Sequence, residues 1–365
     1  MMNIVHMRST TGFYGAEKVI YNIFNKFKYD DITLQLLTLE NNTKTSSLLR
    51  EKLSSCNFPV EGFQVCKKFD RNVINSIQLK LKSENVQLVH THDYKSLFYA
   101  VMSRGDNDYF IVHHLHGYLN NTFAERIYSV IEKILISKTS LVFVVSEDLK
   151  GELSKSILVR NANIKYLENG TNEISDINKD IQVAGNEMKI SFIARFTYEK
   201  NHLLALKVAK CLYEKNISFK LDFYGDGPLF EMIQNEIHLH NLEAVVTLHG
   251  FTDNLKKIYE ATDILLITSL TEGLPMVLLE AMSYGIPVVS TNVGQIEEVF
   301  NNETCGILIP FDVDDIVTIL SDLFLDVEKR EKLSVMAKSI VEQNYSVSRQ
   351  AKTIYCCYRE LLKNG

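Results

Sequence analysis

Short β-branched or aliphatic runs alternate with stretches of helical apolar period along the whole chain. This alternation is typical of βαβ units and parallel sheets. A polar stretch rich in Asn and Asp, residues 169–187, interrupts it and is the best linker candidate. The 365 residues also exceed the roughly 250 that one core accommodates. We therefore predict an α/β fold with two Rossmann-like, doubly wound domains, residues 1–170 and 171–345, whose ligand crevices face one another across a cleft.

The apolar periods place the individual elements approximately. The strands predicted for the first half are residues 3–6, 32–37, 88–91, 110–113 and 141–145. Its helices are predicted near residues 17–27, 94–103 and 123–136. The strands predicted for the second half are residues 189–194, 219–224, 245–249, 264–267, 287–290 and 306–309. Because parallel α/β domains bind ligands beyond the carboxyl ends of their strands, we expect the chemistry in the loops that follow these strands.

The net charge of −6 is divided unevenly between the two halves. Residues 1–168 carry 21 Lys and Arg against 17 Asp and Glu, or +4, and residues 169–365 carry 18 against 28, or −10. Basic side chains surround the apolar-periodic stretch 73–81, namely Lys67, Lys68, Arg71, Lys80 and Lys82. Such a stretch can rest on an anionic leaflet, although a solvated helix face is the commoner arrangement. No nucleic-acid partner is predicted.

Targeting and cysteine signals are weak. No apolar run approaches the ~20 residues that span a bilayer, and residues 1–10 lack a charged-then-apolar leader. We therefore expect a cytoplasmic protein. The six cysteines include no C-x-x-C pair and no regular spacing, which favours reduced thiols over disulfides or zinc ligands.

The most informative stretch is TSLTEGLPMVLLEAMSYG, residues 268–285, which begins just after a predicted strand. Pro275 suits the first turn of a helix, and N–H groups at such a helix start suit an anion. The carboxylates of Glu272 and Glu280 can accept hydrogen bonds from hydroxyls at two points of one extended ligand, as a ribose and a hexose offer. The competing interpretation is that Glu272 caps the helix and Glu280 faces solvent.

This stretch resembles the Glu-x7-Glu segment of family 4 of the retaining glycosyltransferases with the GT-B fold. The family form EGxPxxxxEAMxxGxPVV reads EGLPMVLLEAMSYGIPVV here, and further motifs extend the resemblance over nearly the whole chain. The resemblance implies that Glu280 binds the ribose and that Glu272 contacts the donor sugar. The substrate-binding residues that it implies in this segment are Gly273, Leu274, Pro275, Met276 and Glu280. It also implies that residues 346–365, with a helix at 347–362, cross back to the first domain.

Two further loops fit a diphosphate. IARFTYEKN, residues 193–201, carries Arg195 and Lys200 after a strand. Two cations can neutralise a departing diphosphate, although two ordinary surface cations are the alternative. The resemblance implies that both residues bind the donor's phosphates. In TTGFYGAEK, residues 10–18, Tyr14 replaces the first of the family's two adjacent glycines, so diphosphate contact is carried over to Gly15 alone.

Five of the ten histidines fall in VHTHDY and VHHLHGY, residues 89–94 and 112–118. Metal sites usually mix histidine with cysteine or carboxylate, and Asp93 is the one candidate nearby in sequence. Alternation predicts one shared face for His90 and His92 and another for His114 and His116. Strand-end histidines are commoner than ligands, so no metal is predicted. The resemblance implies that His116 is the active-site histidine beside the donor sugar.

Two other patterns are predicted to be structural. Asp-x-Asp occurs at residues 106–108, before a strand, and at residues 312–314, where Asp suits a helix cap. YGDGPL, residues 224–229, lacks the third glycine of a dinucleotide fingerprint. The resemblance places this turn and the turn at residues 250–251 under the nucleotide pocket.

These features predict a glycosyltransferase that needs no metal or other cofactor and moves a sugar from a nucleoside-diphosphate sugar, expected to be a UDP-sugar, to an acceptor hydroxyl. Retention of anomeric configuration is implied by the resemblance alone. The predicted catalytic residues are His116, Glu272, Arg195 and Lys200. The expected acceptor is a glycan or lipid-linked glycan of cell-surface polysaccharide synthesis, met by loops 41–48, 66–72 and 118–123. Contact with the anionic inner face of the membrane is a further hypothesis. A nucleotide-sugar epimerase of the same fold and a non-catalytic nucleotide-sugar-binding protein remain alternatives.

Overall fold

The computed structural model describes most of the chain, namely residues 1–9, 13, 15–41, 48–67, 69–117, 123–159, 161–172, 187–252, 254–300 and 304–364. The chain divides into two compact units. Unit 1 comprises Met1–Gly170 and Val347–Gly365, and unit 2 comprises Thr171–Ser346. Most of the polar stretch 169–187, most of the loop 10–14 and the larger parts of the predicted acceptor loops 41–48 and 118–123 lie outside the described residues.

Unit 1 is built on a seven-stranded sheet whose strands all pair in parallel. The strands are β1 (Met2–Arg8), β2 (Ile32–Asn41), β3 (Val60–Val65), β4 (Leu88–Thr91), β5 (Phe110–Leu115), β6 (Leu141–Val144) and β7 (Ile164–Tyr166). The helices between them are α1 (Gly15–Lys26), α2 (Leu48–Ser55), α3 (Arg71–Ser83), α4 (Tyr94–Met102), α5 (Phe123–Ile136) and α6 (Glu147–Lys155). The spatial order is β3-β2-β1-β4-β5-β6-β7.

Unit 2 repeats this architecture on a parallel six-stranded sheet. Its strands are β8 (Met188–Ile193), β9 (Phe219–Tyr224), β10 (Val246–Gly250), β11 (Ile264–Ile267), β12 (Val288–Thr291) and β13 (Ile307–Ile309). Its helices are α7 (His202–Glu214), α8 (Phe230–Leu239), α9 (Leu255–Ala261), α10 (Met276–Ser283), α11 (Ile296–Phe300), α12 (Val313–Leu325) and α13 (Val327–Asn344). The order is β10-β9-β8-β11-β12-β13.

The last helix, α14 (Val347–Asn364), belongs to unit 1 and packs against α1. The rings of Tyr355 and Tyr29 stack with centroids 3.7 Å apart, and Tyr358 is fully buried. The N-terminal and C-terminal segments of the chain are therefore joined in one core.

The predicted α/β class with two Rossmann-like sheets is confirmed. Each sheet reverses its strand order at one point, between β1 and β4 in unit 1 and between β8 and β11 in unit 2. Ligand crevices in such sheets lie at these switch points. The predicted strands omitted β3 and β7, which lie at the sheet edges and are mostly only partly buried. A partly covered edge strand needs no continuous apolar run, so its sequence signal is weak.

The apolar stretch 73–81 faces the interior of unit 1. Val73, Ile77 and Leu81 are buried in the core of the sheet, whereas Leu79 is 69% exposed. Lys80 pairs with Glu61 and Glu84 at 2.7 Å each. Most apolar side chains of this stretch therefore pack against protein, and Leu79 is the exposed one. No helix of the described chain combines the length and apolarity needed to cross a bilayer. All six cysteines are free thiols.

Candidate active site

The loops that follow β8 and β11 are joined at the switch point of unit 2. The Thr268 hydroxyl donates a hydrogen bond to the carbonyl of Asn201 at 2.9 Å, and the Leu270 N–H donates to the carbonyl of Glu199 at 2.8 Å. These bonds bring the cation of Lys200, in a short 3-10 turn, beside the carboxylate of Glu272. The two predicted site residues thus meet although 72 positions separate them.

Glu272 is held by side chains and does not cap a helix. Lys200 Nζ lies 2.5 Å from Glu272 Oε1, and the Ser269 hydroxyl donates to the same oxygen at 2.6 Å. The Glu272 side chain is only 10% exposed. The capping interpretation is therefore wrong. Because an ammonium carries three N–H donors, Lys200 can contact an anion while it stays bonded to Glu272.

Glu280 lies in the second turn of α10 and is half-buried. Its Oε2 accepts a hydrogen bond from the Tyr259 hydroxyl at 2.6 Å, so the solvent-facing interpretation is also wrong. Burial and the neighbouring carboxylate raise the pKa of Tyr259 well above its ordinary value, which keeps it a donor. Pro275 is the N-cap, one position before the predicted first turn, and no described side chain caps α10. Leu274, Pro275 and Met276 are buried.

Gly294 allows the loop after β12 to approach the loop after β11 closely. Gly294 has φ of +59°, and a Cβ there would lie 2.3 Å from the carbonyl oxygen of Gly273 and 2.5 Å from that of Glu272. The Gln295 N–H then donates to the Gly273 carbonyl at 3.1 Å. Gly294 and Tyr259 are not among the predicted site residues. The position of Gly294 just after β12 was the available signal for the glycine, whereas nothing in the sequence marks Tyr259.

The Gly-x-Gly of YGDGPL supports the loop that carries Arg195. A Cβ on Gly225 would lie 1.9 Å from the Ala194 carbonyl oxygen, and one on Gly227 would lie 2.6 Å from that of Phe196. Both glycines have φ above +140°. Glycine is thus required at both positions, because the backbone of this loop lies too close for a Cβ. Arg195 itself is exposed. As predicted, Asp312 caps α12, where it accepts hydrogen bonds from two backbone N–H groups.

In unit 1, Gly15 begins α1 and is exposed. Near this helix start, the side chain of Arg8 at the end of β1 connects α1 to the residue that follows β4. It donates to Glu17 Oε1 at 2.8 Å and to the His92 carbonyl at 2.6 Å. Glu17 is buried in the first turn of α1. Arg8 is not among the predicted site residues, because its partner His92 lies 84 positions away along the chain.

Five histidines form a row on one face of the unit 1 sheet: His6, His90, His92, His114 and His116. The prediction of two separate faces is wrong, because β1, β4 and β5 pair in a register that aligns alternate residues of all three strands. Asp93 instead caps α4, where it accepts from the Ser96 N–H at 2.8 Å. Burial lowers the pKa of His6 and His114 to about 3. The row is therefore uncharged at neutral pH.

Two family models match the chain in succession. "Glycosyltransferase Family 4" matches residues 13–173, and "Glycosyl transferases group 1" matches residues 173–339. The second contains all the unit 2 residues of the candidate site. The chain belongs to the family 4 glycosyltransferases. It is an enzyme of the transferase class, as predicted.

Similar proteins agree with this assignment. The glycosyltransferase is 26% identical to the "Putative glycosyltransferase EpsF" of Bacillus subtilis over 78% of both chains. It is 23% identical to an Escherichia coli "UDP-Gal:alpha-D-GlcNAc-diphosphoundecaprenol alpha-1,3-galactosyltransferase", over 100% of this chain and 98% of the other.

The fold also has solved counterparts. Anabaena HepE, solved in complex with UDP and glucose, superposes with a TM-score of 0.82 at 19% identity, covering 98% of this chain and 100% of HepE. A sucrose-phosphate synthase from Thermosynechococcus elongatus gives 0.83 at 16% identity, covering 100% of both chains. At these identities the likeness establishes the GT-B fold of the glycosyltransferase and nothing finer.

Proposed function

We propose that this glycosyltransferase transfers a sugar from a UDP-sugar to a lipid-linked glycan, with retention of anomeric configuration. The observation that carries the proposal is the junction of Lys200 and Glu272 at the unit 2 switch point, in the loop that leads into the Glu280 helix α10. The E. coli relative is named for a UDP-Gal donor, and HepE binds UDP and glucose.

Glu280 is the proposed ribose ligand. A carboxylate with one oxygen held by Tyr259 still offers lone pairs to two vicinal hydroxyls. Because the Tyr259 hydroxyl stays protonated, it fixes the carboxylate without competing for the ligand's donors. Hydrogen bonds to an ionised group are the strong ones, so this contact supplies much of the nucleotide affinity.

The diphosphate is proposed to bind Arg195, Lys200 and the first turn of α10. Helix N-terminal N–H groups favour anions, and α10 has no described side-chain cap that competes for them. As the sugar leaves, negative charge grows on the phosphate, and two fixed cations stabilise that charge. Gly15, at the start of α1, is the proposed diphosphate contact in unit 1.

Retention is proposed to proceed by attack on the same face as the leaving group. The departing phosphate oxygen takes the proton of the acceptor hydroxyl while the new glycosidic bond forms and the sugar–phosphate bond breaks. Glu272, held by Lys200, is proposed to orient the sugar hydroxyls, and the neutral imidazole of His116 is proposed, by resemblance, to lie beside the sugar. No step in this scheme uses a metal.

The proposed acceptor and pathway are inferred from the relatives of this chain. The E. coli galactosyltransferase is named for a diphosphoundecaprenol-linked sugar, so we propose a polyprenyl-diphosphate-linked glycan and a role in cell-surface polysaccharide synthesis. We propose that the enzyme meets such an acceptor at the inner face of the membrane. Flotation with anionic vesicles at low salt tests this part, and recovery of all the protein in the unbound fraction contradicts it.

A donor screen tests the reaction. UDP release is measured with UDP-galactose, UDP-glucose and UDP-N-acetylglucosamine, each with a diphosphoundecaprenol-linked N-acetylglucosamine analogue and in the presence of EDTA. We expect UDP and an α-linked product from one donor, and loss of donor binding in Glu280→Ala and Arg195→Ala. A β-linked product rejects retention, and inactivity in EDTA that added metal restores rejects the metal-free scheme. Wild-type donor binding in both variants rejects the site.

The same screen separates the two other function classes. A new nucleotide-sugar that forms from a donor without acceptor identifies an epimerase. Tight UDP binding with neither transfer nor hydrolysis, across all donors, identifies a non-catalytic binding protein.

A further inference from the structure

The histidine row of unit 1 continues into a hydrogen-bonded chain that ends on the C-terminal helix. His116 Nε2 lies 3.4 Å from His92 Nδ1, and His92 Nε2 lies 3.0 Å from His6 Nδ1. His6 Nε2 lies 3.2 Å from the Tyr358 hydroxyl, which is also 2.5 Å from His90 Nδ1. Three contacts thus connect His116 to Tyr358 of α14, and a fourth connects Tyr358 to His90.

Every member of this chain is neutral. Burial, followed by the neighbouring histidines, lowers the pKa of His90, His92 and His116 well below the ordinary value. Burial raises the pKa of Tyr358 well above its ordinary value, so the hydroxyl keeps its proton. A neutral imidazole has one N–H and one lone pair, so each contact in the chain must be donor to acceptor.

Proton counting leaves two arrangements in which the Tyr358 hydroxyl donates. If its oxygen instead accepted from both His6 and His90, its buried O–H would have no acceptor in the chain of contacts, which is costly. If His116 donates from Nε2, every bond points toward α14, and His90 ends the chain with its proton on Nε2. That atom is buried and has no hydrogen-bond partner among the described residues. If the bonds point the other way, His90 donates to Tyr358, and its Nε2 carries only a lone pair. An unpaired buried N–H is the rarer and costlier situation, so the second arrangement is favoured.

We propose that Tyr358 and His6, acting through His92, hold His116 as the tautomer with its proton on Nδ1 and its Nε2 as acceptor. His116 then presents an N–H donor at Nδ1 to an oxygen atom of a sugar. Tyr358, His6 and His92 are positioning residues, because they act through His116. The tautomer is inferred from the hydrogen-bond chain alone. Its catalytic consequence also rests on the proposed function.

Metal binding is the competing use of these side chains. His6, His90 and His92, and likewise His92, His114 and His116, have ring nitrogens within 4.8 Å of one another. The lone pair of an imidazole nitrogen lies in its ring plane, yet neighbouring rings stack. The His90–His92 and His114–His116 pairs have interplanar angles of 21° and 18° and centroids 4.4 and 4.3 Å apart. Stacked rings cannot all direct lone pairs at one ion, whereas they can bond edge to edge along the row.

Nitrogen NMR of the full chain with 15N-labelled histidine tests the tautomer without using turnover. The His116 signals are assigned by their loss in His116→Gln. We expect Nε2 of wild-type His116 to show the shift of an unprotonated nitrogen and Nδ1 that of a protonated one. In Tyr358→Phe we expect both His116 signals to move toward an average of the two tautomers. Tyr355→Phe on the same helix is the control, because its hydroxyl bonds Asp31, outside the row.

Turnover provides the second measurement. We expect Tyr358→Phe to lower kcat about tenfold, the effect typical of an outer partner that orients a functional histidine, with the donor KM unchanged. A proton on Nε2 of wild-type His116, or an unchanged His116 tautomer in Tyr358→Phe, overturns the inference. Zinc that is tightly bound to the purified chain also overturns the inference if its removal by EDTA changes the His116 signals. If His116→Ala keeps full activity while the NMR result stands, the proposed role of His116 fails and the tautomer inference does not.

Discussion

Lys200 Nζ lies 2.5 Å from Glu272 Oε1, and this pair joins the loops that follow the two central strands of the unit 2 sheet. Both side chains are mostly shielded, with 22% and 10% of their surface exposed. In the ligand-free enzyme each of these two charged groups is therefore stabilised by the other. A donor diphosphate can share Lys200, because two of its three N–H donors remain for other acceptors.

Replacement of Lys200 by Gln is expected to lower the rate of UDP release by roughly 10²–10³-fold, the usual effect of removing one group that stabilises transition-state charge. Glu272 keeps its bond from Ser269 and loses its counter-charge. Lys207→Gln is the matched control, since Lys207 is an exposed lysine of α7 in the same unit. Equal rates in the two variants at saturating donor would remove Lys200 from the reaction.

Glu280→Ala is expected to weaken UDP binding about 10- to 100-fold, because hydrogen bonds to a charged group contribute about 1.5–3 kcal/mol. Tyr259→Phe should give a smaller loss, since the carboxylate remains but is no longer fixed by the 2.6 Å bond. Calorimetric titration with UDP measures both. Glu342→Ala, an exposed glutamate of α13, is the control. A larger effect for Tyr259→Phe than for Glu280→Ala would contradict the assignment of Glu280 as the ligand.

Gly294→Ala is expected to destabilise unit 2 by about 2 kcal/mol or more, because φ of +59° is strained for alanine and its Cβ would meet the carbonyls of Gly273 and Glu272. UDP affinity should fall as well, since the loop that carries Glu272 must shift. Gly151→Ala is expected to change stability in the opposite direction. Gly151 lies inside α6 with open space around it, so alanine should stabilise by about 0.5–1 kcal/mol. Urea unfolding measures both changes, and a neutral Gly294→Ala would show that the close approach is not required.

Unit 1 should lose stability as the pH falls below about 6.5. The folded-state pKa values of His6 and His114 are lowered to about 3, so the unfolded chain binds more protons below pH 6.5. Stability is full above that pH and declines toward pH 3. Each such histidine should contribute a loss of about 1.4 kcal/mol between pH 7.5 and 5.5. Urea unfolding at the two pH values measures the loss.

A single substitution isolates one member of the row. His114 has no hydrogen-bond partner among the described residues, so His114→Phe should reduce the pH-dependent loss by one histidine's share. His238→Asn, at an exposed position of unit 2, should leave the loss unchanged. Identical pH dependence in wild type and His114→Phe would show that the row is not held neutral by folding.

The sequence by itself determined the class of fold and predicted which loops carry the chemistry. Apolar alternation located most of the strands, because a strand buried on both faces needs a continuous apolar run. The edge strands β3 and β7 escaped because they are only partly covered. The segment from Glu272 to Glu280 is predicted to bind the donor, because its carboxylates beside a helix start suit an extended ligand and because it resembles the family 4 segment.

Only the tertiary structure decided which side chains meet. Lys200 and Glu272 are 72 positions apart, and Tyr358 and His6 are 352 apart. Strand order and register fix such contacts, and local periodicity contains neither. Alternation within β4 and β5 could not show that their histidines share a face, because that depends on the register between strands. For the same physical reason, Tyr259, Gly294 and Arg8 acquire their significance only from partners that folding brings to them.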